Sequence, residues 1–269
     1  MHPAEEIERL ALEDLHACLS QESRAALGVS GHVIGCGFVS VATALPASAI
    51  VINRAIGLGL DRPETEETIG QVIEAYRKPG VGRYFIQIHP EAKPSSIPRM
   101  LEAHGLRKAR GWQKFARGRE AVPAARSDLT VQKIGAEHAA ASAKIACDGF
   151  DLGDEAQPWI ALLPTCDRWH VFMAFDDDEP AGTGGLFIDG DTAWTDFGAT
   201  APAFRKRGAQ SALLAARVEF ALDHGCTQIY TCTGEDVPGD PQHSYSNILR
   251  CGFKETYVRA NYAPPRQEP

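Results

Sequence analysis

Several features of membrane and secreted proteins are missing from this sequence. No uninterrupted apolar run approaches the roughly 18 residues that a membrane-spanning helix needs. The N-terminal segment MHPAEEIERLALEDLHACLSQE lacks the positively charged region and apolar core of a secretory signal, and its pattern indicates an acidic amphipathic helix. We therefore expect a cytoplasmic protein without a membrane partner.

A surplus of basic residues and metal-ligand spacing are missing as well. The net charge is -8 and the isoelectric point is near 5.6, which argues against a nucleic-acid partner because such binding draws on an excess of Lys and Arg. The seven cysteines include no CxxC pair, and none of the nine histidines has ligand spacing. We therefore predict that the protein binds no metal and no nucleic acid. A local cluster of basic residues in such an acidic protein indicates a small anionic ligand.

The common phosphate-binding motifs are also lacking. The sequence contains no GxxxxGK[ST]. Its glycine-rich run AGTGG, residues 181–185, is followed by another strand pattern and not by a helix, which is wrong for a dinucleotide-binding fold. We interpret AGTGG as a bulged strand.

The second half of the chain has a clear pattern of strands and helices. Three strand patterns (WHVFMAF, AGTGGLFI and TAWTDFGAT) are joined by acidic turns at hairpin spacing. A helix is predicted over 209–224, ending at Gly225, and then a strand, a helix and a closing strand. With the entering strand and helix near 129–147, the predicted order is β, α, three β, α, β, α, β.

The first half repeats the later part of this order: a strand, a helix, a strand, another helix and a final strand. A constant offset sets Arg62 on Arg205 and Gly82 on Gly225, and a slightly larger one sets Gly105 on Gly252. Duplication also explains a length of 269 residues, which exceeds the roughly 100–200 of a usual single domain. We predict domains at 1–120 and 129–269, joined by an Ala-rich linker at 121–128 that contains Pro123.

A basic glycine turn, RKRGAQ, stands between a strand and the apolar helix of the second half. Glycine lets the backbone approach a ligand closely, and the first N–H groups of a helix together with its dipole favour an anion. Consecutive amides in such a turn form a nest for phosphate, and three basic side chains add positive charge. The turn predicts a pyrophosphate ligand.

In its context this turn resembles a known family. Strand, RxxGxG or RxxGxA turn, helix, strand and a last helix ending in GF is the pattern of the GNAT superfamily of acyl-CoA-dependent N-acyltransferases. It is present as ATAPAFRKRGAQSALLAA, TQIYTCT and HSYSNILRCGFKE. The resemblance covers about residues 129–262 and implies an α/β (α+β) fold of two tandem GNAT-like domains. Each domain would be a mixed, mostly antiparallel twisted sheet flanked by helices, and the central strands of the C-terminal copy would splay apart to admit acetyl-CoA.

The resemblance also implies the residues that contact acetyl-CoA. Its pyrophosphate would lie on the turn formed by Arg205, Lys206, Arg207, Gly208, Ala209, Gln210 and Ser211. Its pantetheine arm would pair with the backbone of Gly198, Ala199 and Thr200, where an N–H group would also polarise the thioester carbonyl. Gln210 departs from the small residue of the motif, and we expect its side chain to be tolerated.

The catalytic residues are less clearly marked. In the family a Tyr of the last helix commonly protonates the leaving thiolate, and the matching position here is Ile248. For this general acid we consider Tyr245 first, then Tyr257 and Tyr230. The thiolate could instead take its proton from water.

Three further side chains lie near the expected site. Asp196 is the candidate general base, or alternatively a surface acid or a hydrogen-bonded support. Asn247 and Ser244 either contact the pantetheine arm or cap and pack their helix.

The first half has an altered version of the turn, RPETEE. Thr65 replaces the glycine, Pro63 removes an N–H group, and three glutamates place negative charge where phosphates would lie. We predict a degenerate copy that does not bind the cofactor.

These features predict transfer of an acetyl group from acetyl-CoA to a primary amine of a small molecule by direct attack. One alternative is a non-catalytic acyl-CoA-binding regulatory protein, which Ile248 and the degenerate first half would favour. Another is an acetyltransferase that acts on proteins or peptides. The sequence leaves the acceptor and the oligomeric state open.

Overall fold

A computed structural model describes residues 2–239 and 243–266 of the chain. The chain forms two compact units, the first from residues 1–113 and 257–269 and the second from residues 114–256. The final strand of the chain therefore begins in the second unit and continues in the first. The predicted division at 121–128 stays a prediction, and these residues lie within the second unit.

The first unit consists of a mixed sheet and four helices. Its helices are α1 (Pro3–Ala17), α2 (Gln21–Ala26), α3 (Glu66–Arg77) and α4 (Ile97–Ala103), and its strands are β1 (Val29–Ile34), β2 (Gly37–Ala42), β3 (Arg54–Ile56) and β4 (Phe85–Ile88), with parts of β5 (Arg107–Arg117) and of the last strand, β11 (Lys254–Ala263). The strand order is β1-β2-β3-β4-β11-β5. β3 and β4 are parallel, whereas β1–β2, β2–β3 and β4–β11 are antiparallel. Ile69, Val72 and Ile73 on one face of α3 pack onto the sheet as its core.

The second unit has the order of elements that the sequence predicts. Its strands are β6 (Thr130–Lys133), β7 (Trp169–Asp176), β8 (Glu179–Asp189), β9 (Thr192–Thr200) and β10 (Gln228–Gly234), with the remaining parts of β5 and β11, and its α-helices are α5 (Ala139–Phe150), α6 (Gln157–Ile160), α7 (Ala209–Asp223) and α8 (His243–Arg250). The strand order is β11-β5-β10-β9-β8-β7-β6. β6 to β9 form an antiparallel meander, and β10 pairs with β9 in parallel.

The parallel pair β9 and β10 separates after a short ladder. Gln228 pairs with Thr192 and Tyr230 with Trp194, and among the described residues the ladder ends there although both strands continue. The prediction of splayed central strands is confirmed. Beyond this point the hydroxyl of Thr231 donates to the carbonyl oxygen of Thr195 at 3.2 Å, and the later described residues of the two strands form no ladder. We call the space between these later residues the gap, and α7 begins after β9 and a short turn.

Corresponding elements of the two units lie at one constant offset along the chain. Thr65 is the N-cap of α3 and Gly208 is the N-cap of α7, at the offset inferred from the sequence. β4 begins at Phe85 and β10 at Gln228, at the same offset. The tandem arrangement with a mixed, mostly antiparallel sheet in each unit is therefore confirmed.

Two features are absent from the described residues. In that part of the chain no helix is long and apolar enough to cross a membrane. Over the same ranges, no group of three or more His, Cys, Asp or Glu side chains is placed to hold a metal ion.

Candidate functional site

The basic turn before α7 has a backbone that only glycine fits at one position. Gly208 has a φ of 82° and serves as the N-cap of the helix, and Lys206 is also left-handed with a φ of 67°. A Cβ atom at Gly208 would lie 2.0 Å from the carbonyl oxygen of Arg126. The glycine is thus required both by its positive φ and by the close approach of the 126–127 backbone.

The amides of this turn form a row of unused donors. The N–H groups of Ala209, Gln210 and Ser211 belong to the first turn of α7, which has no intrahelical acceptors for them. Among the described residues, no backbone acceptor is found for these amides or for those of Lys206, Arg207 and Gly208. Six consecutive amides at the positive end of a helix dipole provide the donors that an anion such as pyrophosphate needs.

The side chain of Arg207 is held by two carboxylates. Its guanidinium donates to Asp128 through Nε (3.0 Å) and to Asp176 through Nη1 (2.7 Å) and Nη2 (2.8 Å). The hydroxyl of Ser127 donates to the carbonyl oxygen of Arg207 at 2.9 Å. These bonds raise the pKa of Arg207 and lower the pKa values of both aspartates.

The contacts of Arg207 connect the predicted linker with the turn. Arg205 and Lys206 are exposed, so their side chains are the basic groups of this turn that stand in solvent. Arg207 instead fixes the shape of the turn, and Asp128, Asp176 and Ser127 are residues that the sequence reasoning missed. Ser127 and Asp128 both lie in the predicted linker, residues 121–128, for which the sequence indicates no other role.

Gln210 fits because its side chain turns onto β9. Its Nε2 donates to the hydroxyl of Thr200 at 3.0 Å. A Cβ atom at Gly198 would lie 2.8 Å from Gln210 Oε1. The missing side chain of Gly198 therefore makes room for Gln210, and Ala199 packs on the opposite side against Gly149 of α5. The bulk of Gln210 thus lies over the strand and not in the row of amides.

β9 contains a bulge at the edge of the gap. Asp196 is opposite Gly185 and Ala199 is opposite Thr183, so Phe197 and Gly198 together face one residue of β8. Phe197 has a φ of 50°, which is uncommon for an aromatic residue. The prediction that AGTGG forms a bulged strand is confirmed by the other ladder of β8, where Ala174 is opposite Gly182 and Phe175 is opposite Pro180, which leaves Ala181 as the extra residue.

The carboxylate of Asp196 is fixed by the bulge. Its Oδ1 accepts from the backbone N–H of Phe197 at 2.8 Å and its Oδ2 accepts from the indole of Trp194 at 3.0 Å. The residue is half-buried. A carboxylate has about four lone-pair sites, so two remain for a ligand after these two bonds.

A buried arginine lies under this part of β9. Arg217 of α7 is 3% exposed, and its Nη1 donates to the carbonyl oxygens of Gly185 and Asp196, each at 3.1 Å. A Cβ atom at Gly184 would lie 2.6 Å from its Cζ. The sequence carries a signal for it, since Arg217 stands four residues after Leu213 on the apolar face of a helix, but the sequence reasoning missed it.

The α8 candidates are oriented by side-chain hydrogen bonds. Asn247 accepts from Ser211 of α7 at 3.3 Å and also from Arg250. Ile248 is buried in the apolar core between α7 and α8. Asn247 thus ties α8 to the first turn of α7, and Ile248 packs where the resemblance would place a Tyr.

Tyr245 of α8 donates its hydroxyl hydrogen bond to Glu255. Burial and this carboxylate raise the pKa of Tyr245 to about 12. Tyr230 donates to Gln228 and Tyr257 to Glu5. All three tyrosine hydroxyls are therefore committed to acceptors within the protein.

The corresponding turn of the first unit is filled by its own chain. Glu64 is 5% exposed, and its carboxylate accepts from the amides of Cys36 (2.8 Å) and Gly59 (3.2 Å). The backbone of Lys93 pairs with Gly59 and with Glu64, each at 2.9 Å. In this unit the buried carboxylate of Glu64 is therefore bonded to backbone amides, and the backbone of Lys93 is bonded to the turn itself.

Comparisons with known proteins agree with this geometry. Residues 141–242 match the model of the family described as Acetyltransferase (GNAT) family. A comparison with the curated proteins finds no match.

Three similar solved structures cover most of the chain. A GCN5-related N-acetyltransferase from Kribbella flavida has a TM-score of 0.67 at 18% identity, over 99% of this chain and 97% of that one. One from Sphaerobacter thermophilus has a TM-score of 0.60 at 13% identity, over 97% and 93%. A tandem GNAT protein from the clavulanic acid biosynthesis pathway has a TM-score of 0.57 at 17% identity, over 86% and 80%. Residues 141–242 thus match the model of an acetyltransferase domain of the GNAT family, and the chain shares the fold of a tandem GNAT protein.

Proposed function

We propose that the second unit binds acetyl-CoA and transfers its acetyl group to a primary amine of a small molecule. The observation that carries this proposal is the row of six amides at residues 206–211, which lies directly after the strand that borders the gap between β9 and β10. The amides would hold the pyrophosphate. Arg205 and Lys206 add positive charge at the surface, and the free backbone edge of Gly198, Ala199 and Thr200 would pair with the pantetheine arm.

The proposed reaction is a direct attack. The neutral amine nitrogen forms a bond to the thioester carbonyl carbon, the carbon–sulfur bond breaks, CoA leaves as a thiolate, and the nitrogen gives up its second proton to the solvent to form the amide. A backbone N–H group at residues 198–200 would stabilise the negative charge that develops on the carbonyl oxygen. An alkylammonium has a pKa near 10, so the amine must first lose a proton. We assign the acceptance of this proton to Asp196, whose carboxylate is held in place and retains lone pairs for a ligand.

The hydrogen bond of Tyr245 to Glu255 argues against this residue as the general acid. A tyrosine with a pKa of about 12 is a weaker acid than a thiol, whose ordinary pKa is roughly 8.5, so proton transfer from Tyr245 to the thiolate is unfavourable. We propose that CoA leaves as the thiolate and takes up a proton from the solvent after its release, and that Tyr245→Phe leaves turnover nearly unchanged.

The test measures acetyl-CoA binding and CoA release separately. Calorimetry on the wild type and on Gly208→Glu should show tight binding only in the wild type, because the new carboxylate and the clash with residues 126–127 disrupt the row of amides. Unchanged affinity in the variant would remove the cofactor assignment.

A thiol-release assay over a panel of amines and peptides then tests the reaction. Release that requires a small primary amine supports the proposal. Steady binding without release would favour a non-catalytic acyl-CoA-binding protein, which the burial of Ile248 and the bonded Tyr245 also allow. Release only with peptides would assign a protein acetyltransferase instead.

A further inference from the structure

Two backbone carbonyl groups beside the bulge in β9 accept hydrogen bonds from one buried, charged side chain. Here the carbonyl oxygens of Gly185 and Asp196 accept from Nη1 of Arg217 at 3.1 Å each. Its Nε donates to the carbonyl oxygen of Leu213 at 3.0 Å, which fixes the side chain against its own helix.

The surroundings of Arg217 are shaped to accept it. Gly184, the single residue of β8 opposite the bulge, lacks the Cβ atom that would collide with the guanidinium. The position of a Cβ atom on Gly198 would be 3.4 Å from Nη2. Among the described residues no acceptor bonds Nη2, so this nitrogen is directed beneath Gly198 at the border of the gap.

The side chain keeps its charge under these conditions. Burial lowers the pKa of Arg217 to about 10, and the neighbouring Cys251 and Asp196 oppose that shift. The group is therefore protonated near neutral pH. A buried guanidinium is costly to desolvate, and replacing it with an apolar residue would remove its hydrogen bonds to both carbonyl oxygens.

Asp196, whose backbone carbonyl accepts from Arg217, also carries the carboxylate that is the candidate general base. The N–H group of Phe197 in the bulge donates to Asp196 Oδ1 at 2.8 Å. A change in the bulge would therefore move the carboxylate of Asp196 together with the amides that follow it. We propose, resting on the transfer function above, that Arg217 is a positioning residue that fixes the β9 bulge and so sets the Asp196 carboxylate and the amides of residues 198–200 relative to the thioester.

The variants Arg217→Met and Arg217→Lys test this proposal, with Val218→Ala as the matched control. Val218 is the next residue of α7 and is fully buried in the apolar core, so its truncation lowers stability without touching β9 carbonyls. All variants are assayed at a temperature at which urea titration shows them folded.

We expect Arg217→Met to bind acetyl-CoA within about 3-fold of the wild type and to lose about 100-fold in kcat, the size of effect that a small misplacement of reacting groups produces. The carbonyl resonance of bound [1-13C]acetyl-CoA should move towards its position in free acetyl-CoA, because the polarising amides shift. Arg217→Lys should restore part of the lost kcat and part of the change in the carbonyl resonance. Val218→Ala should change neither the kcat nor the resonance.

An unchanged carbonyl resonance in Arg217→Met, or a kcat within about 3-fold of that of Val218→Ala, would overturn the positioning role while leaving the transferase intact. A wild type that binds acetyl-CoA but releases no CoA with any amine would overturn the transfer function, and the resonance would still decide whether Arg217 sets the amides. Absence of acetyl-CoA binding by the wild type would overturn both.

Discussion

Replacing Gly208 by alanine should affect stability and acetyl-CoA binding together. The Cβ atom would lie 2.0 Å from a backbone oxygen of Arg126. Backbone atoms cannot swing away as the end of a long side chain can, so either the 126–127 segment or the turn itself must move. Because the carbonyl of Arg207 is also tied to Ser127, such a movement changes the positions of the six amides.

The magnitude follows from two contributions. A non-glycine residue in the left-handed conformation costs about 1–2 kcal/mol, and forced overpacking costs a further ~1–3 kcal/mol. We therefore expect Gly208→Ala to lower the free energy of unfolding by ~2–5 kcal/mol.

Gly225 at the other end of α7 offers a matched control. Its φ is 86°, and a Cβ atom there would meet nothing within 4 Å. Gly225→Ala should therefore show only the conformational cost, ~1–2 kcal/mol, with acetyl-CoA affinity unchanged. Urea denaturation measures the two stabilities, and calorimetry measures the affinities.

Two results would refute this reasoning. Equal losses of stability in Gly208→Ala and Gly225→Ala would show that the backbone of residues 126–127 does not restrict the turn. Full acetyl-CoA affinity in a folded Gly208→Ala variant would show that the amides of this turn do not bind the cofactor.

Three further predictions concern the neighbouring contacts. Gly198→Ala should collide with Gln210 and weaken acetyl-CoA binding, and the added change Gln210→Ala should restore the affinity measured by calorimetry; no recovery in the double variant would exclude the collision as the cause. The pKa of Asp176 is lowered by its hydrogen bonds from Arg207, so the stability it contributes is present above the unfolded pKa of about 3.9 and is lost as the pH falls through the lower folded value. Asp176→Asn should therefore flatten the fall of unfolding free energy below about pH 4, in urea titrations at several pH values, and an unaltered slope would contradict this. Glu64→Ala should lower the free energy of unfolding by about 2 kcal/mol because two backbone amides lose their acceptor, without a change in acetyl-CoA affinity, and a changed affinity would show that the first unit takes part in binding.

The sequence by itself determined the features that depend on neighbouring residues. The helix after the turn was predicted over 209–224 and runs over Ala209–Asp223, because apolar spacing and the glycines at its two ends are local signals. The meander β7 to β9 followed from the strand patterns and from the turn residues between them. The repeat of the two units followed from the order of their elements. The special backbone at Gly208 also followed, since a glycine between a strand and a helix is a local pattern.

Only the tertiary structure decided what the side chains around the turn do. Arg207 looked like a phosphate ligand in sequence, but the fold brings Asp128, 79 positions away, and Asp176, 31 positions away, onto its guanidinium. Arg217 looked like one polar residue in an apolar helix until the bulge opposite Gly184 supplied its acceptors. Such partners come from distant strands, and the register and bulges of those strands are set by the packing of the whole unit. A pattern of adjacent residues therefore does not predict these contacts.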